Sequence, residues 1–123
     1  MQEMISLKNW VVIGATDDKS KFGYKILKKL KDKGYNVCGI NPKYKEIEGI
    51  KIYSNINEIK ENIDVANIIV NPNIAITMLE DIKNKGIKNV WFQPGSFNDE
   101  VLEKAKSLGL NIEASHCAFV ELQ

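Results

Sequence analysis

The sequence predicts a single α/β domain, built on a doubly wound parallel sheet and spanning residues 1–123. Three observations predict it. Short continuous apolar runs alternate with segments whose apolar residues recur at i, i+3, i+4 and i+7. The apolar runs stop at a Gly, an Asn-Pro or a Pro-Gly, the turn residues of short connections. The length of 123 residues suffices for one hydrophobic core and leaves no room for a second.

The elements follow in order. Trp10-Val11-Val12-Ile13 ends at Gly14 and reads as a buried first strand. Phe22, Ile26, Leu27 and Leu30 then share one helical face, with lysines opposite and Gly34 as the stop. Tyr35 to Ile40 is the second strand, stopped by Asn41-Pro42. Lys51 to Tyr53 is a brief third strand, and Ile56 to Ile63 a short polar helix. Val65 to Val70 is a continuous fourth strand, stopped by Asn71-Pro72. Ala75, Met78, Leu79 and Ile82 line the next helix, which ends near Gly86. Asn89 to Phe92 is the fifth strand, stopped by Pro94-Gly95. Val101, Leu102, Ala105 and Leu108 line the last helix, and Asn111 to Glu113 offers a sixth strand. Right-handed crossovers convert this alternation into a Rossmann-like sheet of order 3-2-1-4-5, with the sixth strand at its end.

Composition narrows the function classes. Hydrophobic residues are 44% and charged residues 27%, the balance of a folded globular chain. No apolar run reaches the roughly 20 residues of a membrane span. Residues 1–8 lack the apolar stretch of a signal peptide, so a cytoplasmic location is expected. The 17 lysines meet 16 acids, a net charge of +1, which points away from nucleic acid. There is no arginine, so an anion must be held by lysines, backbone N–H groups or helix N-termini. Two distant cysteines, Cys38 and Cys117, and one histidine, His116, show no zinc spacing, and no metal is expected.

In a doubly wound sheet, ligands bind beyond the carboxyl ends of the strands, where strand order reverses. The first of these turns carries Gly14, Ala15, Thr16, Lys19 and Ser20, with Gly23 nine residues after Gly14. It departs from G-x-G-x-x-G because Thr16 holds the second glycine position. Its hydroxyls, lysines and following helix start together form a phosphate cradle. Asp17 and Asp18 would oppose a phosphate unless they cap that helix. The second strand delivers Asn41, Pro42 and Lys43, where an NAD domain would carry an acid. A lysine there suits a phosphorylated ribose, as in coenzyme A or NADP. The fourth strand delivers Val70, Asn71 and Pro72, and the fifth delivers Gln93, Pro94 and Gly95.

These residues carry a resemblance. Gly14-Ala15-Thr16, Gly34-Tyr35-Asn36-Val37 and Asn41-Pro42-Lys43 resemble the small bacterial CoA-binding proteins. Those share their fold with the CoA-binding domain of the succinyl-CoA synthetase alpha subunit. The resemblance continues through Glu48-Gly49-Ile50-Lys51-Ile52-Tyr53, Val70-Asn71-Pro72 and Val90-Trp91-Phe92-Gln93-Pro94-Gly95 to His116-Cys117-Ala118-Phe119-Val120-Glu121. It implies coenzyme A or an acyl-CoA lying along the strand ends. By position, Gly14, Ala15, Thr16 and Ser20 would meet the phosphates, and Asn41, Pro42 and Lys43 the adenosine phosphate. Val70, Asn71 and Pro72 would line the neighbouring turn, and Gln93, Pro94 and Gly95 would face the pantetheine. Two positions depart from the pattern: Ala118 stands where many relatives have proline, and the fifth-strand turn lacks the synthetases' acid.

The expected function is therefore stand-alone binding of a small molecule, coenzyme A or acyl-CoA, with no catalytic residue. The alternatives are a regulatory domain binding NADP or another nucleotide, and a thiol- or acyl-exchange enzyme using Cys117. A homodimer or a protein partner is left open.

Overall fold

A computed structural model describes residues 2–122. The strands are β1 (Asn9–Ile13), β2 (Asn36–Ile40), β3 (Glu46–Ile47), β4 (Ile50–Tyr53), β5 (Val65–Ile68), β6 (Asn89–Phe92) and β7 (Asn111–Glu113). The helices are α1 (Gln2–Ser6), α2 (Phe22–Asp32), α3 (Pro72–Lys85), α4 (Asp99–Ser107) and α5 (Ala118–Glu121). One sheet runs in the order β3-β4-β2-β1-β5-β6-β7. All neighbours are parallel except β3, which pairs antiparallel with β4. Without β3 this is the expected order, and the sixth strand is present as β7.

The sheet is buried on both faces, which is why its central strands read as unbroken apolar runs. Side chains alternate across it. Val11, Ile13, Ala66, Ile68, Val90 and Phe92 face the side covered by α3 and α4. Trp10, Val12, Val65 and Trp91 face the side covered by α1, α2 and α5. Trp10 and Trp91 are fully buried with ring centroids 6.0 Å apart. Each indole N–H is satisfied, Trp10 by Leu7 O at 2.8 Å and Trp91 by His116 O at 2.9 Å. One polar side chain interrupts the β5 run. Asn67 is fully buried and donates to Trp91 O at 3.2 Å, while its Oδ1 has no partner among the described residues.

Three expectations need correction. The helix expected over Ile56 to Ile63 is only a 3-10 turn, Ile56–Glu58. Asn55 starts it by accepting the Asn57 N–H, and Ile59 ends it in an extended conformation. The strand expected to run to Val70 ends at Ile68, although Ile69 N–H still donates to Ile13 O. The strand expected from Tyr35 begins at Asn36. Among the described residues, no helix is long and apolar enough to cross a membrane.

Candidate functional site

Two neighbouring strands send their chains to opposite faces. From β1 the chain enters α2 on one side, and from β5 it enters α3 on the other. The turns after β1 and β5 therefore part at the carboxyl edge of the sheet, opening the crevice that this architecture uses for ligands.

The β1 turn is packed without slack. Gly14 N–H donates to Ile40 O at 3.1 Å, extending the ladder by one step. Gly14 has φ +105, and a Cβ there would sit 3.2 Å from Val70 Cγ1. The β1 and β5 turns thus touch. A Cβ on Gly23 would lie 2.2 Å from Gly14 O, so α2 starts directly against the turn. Ala15 is buried beside Gly39. Asn41 Nδ2 donates to Ala15 O at 2.9 Å, tying the β2 turn to the β1 turn. Thr16 Oγ1 lies 3.3 Å from Tyr44 Oη and accepts the Asp18 N–H at 3.2 Å. Tyr44 Oη donates to Asp17 Oδ1 at 2.9 Å. Tyr44 was not singled out in the sequence. Its signal was its place beside Asn41-Pro42-Lys43, on the same turn.

The cradle differs from the expected one at Ser20. Asp18 Oδ1 accepts both the Ser20 Oγ at 2.6 Å and the Ser20 N–H at 3.0 Å. The Ser20 hydroxyl and N–H, with help from Lys21, hold the Asp18 carboxyl below the usual carboxylate range. Asp18 is ionised at neutral pH, and the Ser20 hydroxyl already has an acceptor. Neither Asp17 nor Asp18 caps α2, because its N-cap is Lys21, which makes no side-chain cap. Positive charge nearby comes from Lys19 and Lys21, both exposed. The first-turn N–H groups of α2 point out of the helix start beside them.

The remaining turns divide their polar groups between structure and surface. Asn41 Oδ1 accepts the Lys43 N–H at 2.9 Å, which shapes the β2 turn and leaves Pro42 and Lys43 exposed. Asn71 caps α3, its Oδ1 accepting the Ile74 N–H at 3.1 Å, and Pro72 takes the first helical position. Gln93 is buried. Its Oε1 accepts the Ala118 N–H at 2.8 Å and its Nε2 donates to Cys117 Sγ at 3.1 Å. Its amide therefore clamps the start of α5, and only Pro94 and Gly95 of that turn are exposed. Phe119 of α5 meets Phe22 at the start of α2 edge-on, with centroids 6.1 Å apart. In this way α5 joins the β6 turn to the start of α2. The structure brings the β1, β2 and β5 turns into direct contact and links the β6 turn through α5.

His116 and Cys117 are adjacent in sequence but bonded apart. His116 Nδ1 lies 2.9 Å from Glu113 Oε2, which also accepts the Ser115 N–H at 2.8 Å. Burial alone would raise the Glu113 carboxyl, but the His116 ring and the Ser115 N–H more than offset it and hold it below its ordinary value. The histidine is thus engaged by a carboxylate, while the thiol is held by an amide that is no base.

Several known proteins are similar to this chain. An ADP-forming acetate–CoA ligase of Methanocaldococcus jannaschii is 35% identical over 119 residues, covering 89% of this chain and 17% of the ligase. The chain spans 17% and 18% of the length of two such ligases and 26% of a ligase alpha subunit. An uncharacterized protein of Bacillus subtilis is 26% identical, with 89% of this chain and 82% of that protein covered. The solved structure of a conserved hypothetical protein from Pyrococcus furiosus superposes with a TM-score of 0.88 at 32% identity, covering 94% of this chain and 99% of that one. These comparisons lend the NADP alternative no support. Residues 8–123 match the family described as CoA binding domain, and the chain belongs to that family.

Proposed function

We propose that this chain binds coenzyme A or an acyl-CoA along the carboxyl ends of its parallel strands and carries no catalysis of its own. Family membership supports the ligand class. The observation that carries the site is the junction of the β1 and β2 turns, where Asn41 Nδ2 holds Ala15 O at 2.9 Å. That junction sets the Gly14–Ser20 backbone beside an exposed Lys43. The phosphates lie against Gly14, Ala15 and Thr16, with Lys19 and the start of α2 supplying charge. Asn41, Pro42 and Lys43 flank the phosphate on the adenosine ribose. Val70, Asn71 and Pro72 form the adjoining wall, and the pantetheine arm runs toward Pro94 and Gly95. Most of each ligase's length lies outside the match, so the ligase reaction is not assigned to these residues.

Titration calorimetry with coenzyme A and dephospho-CoA tests this reading. Coenzyme A binds more tightly than dephospho-CoA. Lys43→Ala removes one charge-assisted contact, about 1.5–3 kcal/mol, or roughly 10- to 150-fold in affinity. The loss falls on coenzyme A and spares dephospho-CoA. Equal losses for both would remove Lys43 from the ribose phosphate, and no heat with any CoA species at millimolar concentration would refute the function.

A further inference from the structure

A cleft of about 500 Å³ opens at the end of the sheet opposite the CoA-site turns, among the first residues of β1, β2 and β4. Its origin is a splay between strands. β2 and β4 pair at Gly39–Ile52 and Ile40–Tyr53, and the Cys38–Lys51 pair that would follow is not formed. Lys51 and Ile50 pair instead with Glu46 and Ile47 of β3, which draws the start of β4 away.

The exposed backbone groups follow from strand alternation. Asn36 N–H donates to Lys8 O on the β1 side, and Asn41 N–H donates to Tyr53 O on the β4 side. The odd-numbered residues of β2 therefore turn their backbone toward β4. Val37 presents both its N–H and its C=O to the cleft, one rung below the last pair. Ile52 N–H donates to Lys45 O on the β3 side, so Lys51 N–H faces the cleft from the other wall. Val37 and Cys38 are half-buried, while their β1 partners Trp10 and Val11 are fully buried.

The charged Lys31, Lys51 and Glu61 and the amides of Asn9, Asn36 and Asn62 share the lining with apolar surface. Tyr35, Ile50 and Ile63 contribute hydrocarbon and ring surface. Burial, reinforced by the Glu61 charge, pushes the Cys38 thiol up to about 12, so it stays protonated. Of the charged lining groups, Lys31 Nζ donates to Glu48 O at 2.7 Å, and Lys51 and Glu61 carry opposite charges. The volume lies in the range of small-molecule sites, and apolar walls with a few fixed polar groups are their usual make-up. A single unpaired residue is too short an edge to hold a peptide strand.

We infer that this cleft is a second binding site, for a neutral planar small molecule with a hydrogen-bond donor and acceptor side by side. A cyclic amide or an amino-substituted azine has that edge. It completes the missing rung, accepting from Val37 N–H and donating to Val37 C=O, while its ring lies between the apolar walls.

The test is a 1H–15N spectrum of the full chain titrated with 2-pyridone and, separately, with N-methyl-2-pyridone. The first has the paired donor and acceptor, and the second lacks the donor. The Val37 and Lys51 amide signals should move and saturate at millimolar 2-pyridone. The N-methyl compound should bind about tenfold more weakly, the worth of one hydrogen bond. Ile63→Trp should fill the cleft and abolish the shifts. Saturating coenzyme A should leave them unchanged in the wild-type chain, a measurement independent of how that variant folds. Unsaturated or absent shifts at tens of millimolar, an equal response to both compounds, or competition by coenzyme A would each overturn the inference.

Discussion

Gly23 has the least room among the described glycines, and it shows how one residue sets the distance between helix and turn. A Cβ there meets the Gly14 carbonyl oxygen at 2.2 Å, and a backbone oxygen cannot swing aside. Alanine would otherwise favour a helix over glycine by up to about 1 kcal/mol. The clash outweighs that gain, so Gly23→Ala should lower stability by about 2 kcal/mol or more in urea unfolding. An unchanged or raised midpoint would show that α2 does not press on the turn. Glu113 gives a second residue-scale expectation, with a definite sign. Its folded-state carboxyl is held below its unfolded value of 4.5. The stabilisation is therefore complete above that value and is lost as pH falls through the lowered folded-state value. Glu113→Gln should cost about 1 kcal/mol at pH 7, and the gap from wild type should narrow as pH falls below 4.5. A gap independent of pH would mean that the carboxylate charge plays no part. At this scale the sequence located the turns after the strands but not the use made of their side chains. Ser20, Asn71 and Gln93 read as ligand-facing groups, yet their polar atoms bond to Asp18, Ile74, Cys117 and Ala118. The contacts of Gln93 span 24 and 25 residues, and no local pattern encodes them.

Elements were legible in proportion to their length. α2, α3 and α4 carry two or more turns of apolar spacing, and the structure has all three. The five-residue α1, the two-residue β3 and the four-residue α5 are too short to show a period, and tertiary contacts determine them. β3 exists because β4 offers it a ladder, and α5 because Gln93 and Phe22 hold it. The 3-10 turn misled because Ile56 and Ile59 are spaced like a helical face, and both are buried. α3 is the element whose ends follow most directly from its residues: Asn71 caps it, Pro72 opens it and Gly86 closes it at φ +94. Replacing that cap should cost about 1 kcal/mol. Asn71→Ala should show it as a shifted urea midpoint with an unchanged slope, while Asn71→Asp should retain most of the stability. If alanine costs nothing, packing of Ala75, Leu79 and Ile82 on the sheet holds the helix without its cap.

Across the whole molecule, two apolar layers share one sheet. Val11 and Ile13 belong to one layer and Trp10 and Val12 to the other, on the same five-residue strand. Neither layer can be lost while β1 keeps its neighbours, so the chain should unfold in one transition. The strand order was readable for this reason: each crossover has one favourable hand, and each helix has one apolar face to bury. The cleft between β2 and β4 was not readable, because it depends on β3 drawing Ile50 and Lys51 aside. Coenzyme A bound at the carboxyl edge would bridge the turns of β1, β2 and β5, which both layers support. At a hundredfold above its dissociation constant it should add about 2.7 kcal/mol to the stability of the whole chain. With a urea slope of about 2 kcal/mol/M, the midpoint should rise by about 1.3 M. The slope should not change, because the turns are already in contact without ligand: Gly14 against Val70, and Ala15 against Asn41. A steeper slope with coenzyme A would mean that the ligand orders a site left open in the free chain. Two separate transitions, with only one moved by the ligand, would mean that the layers fold independently.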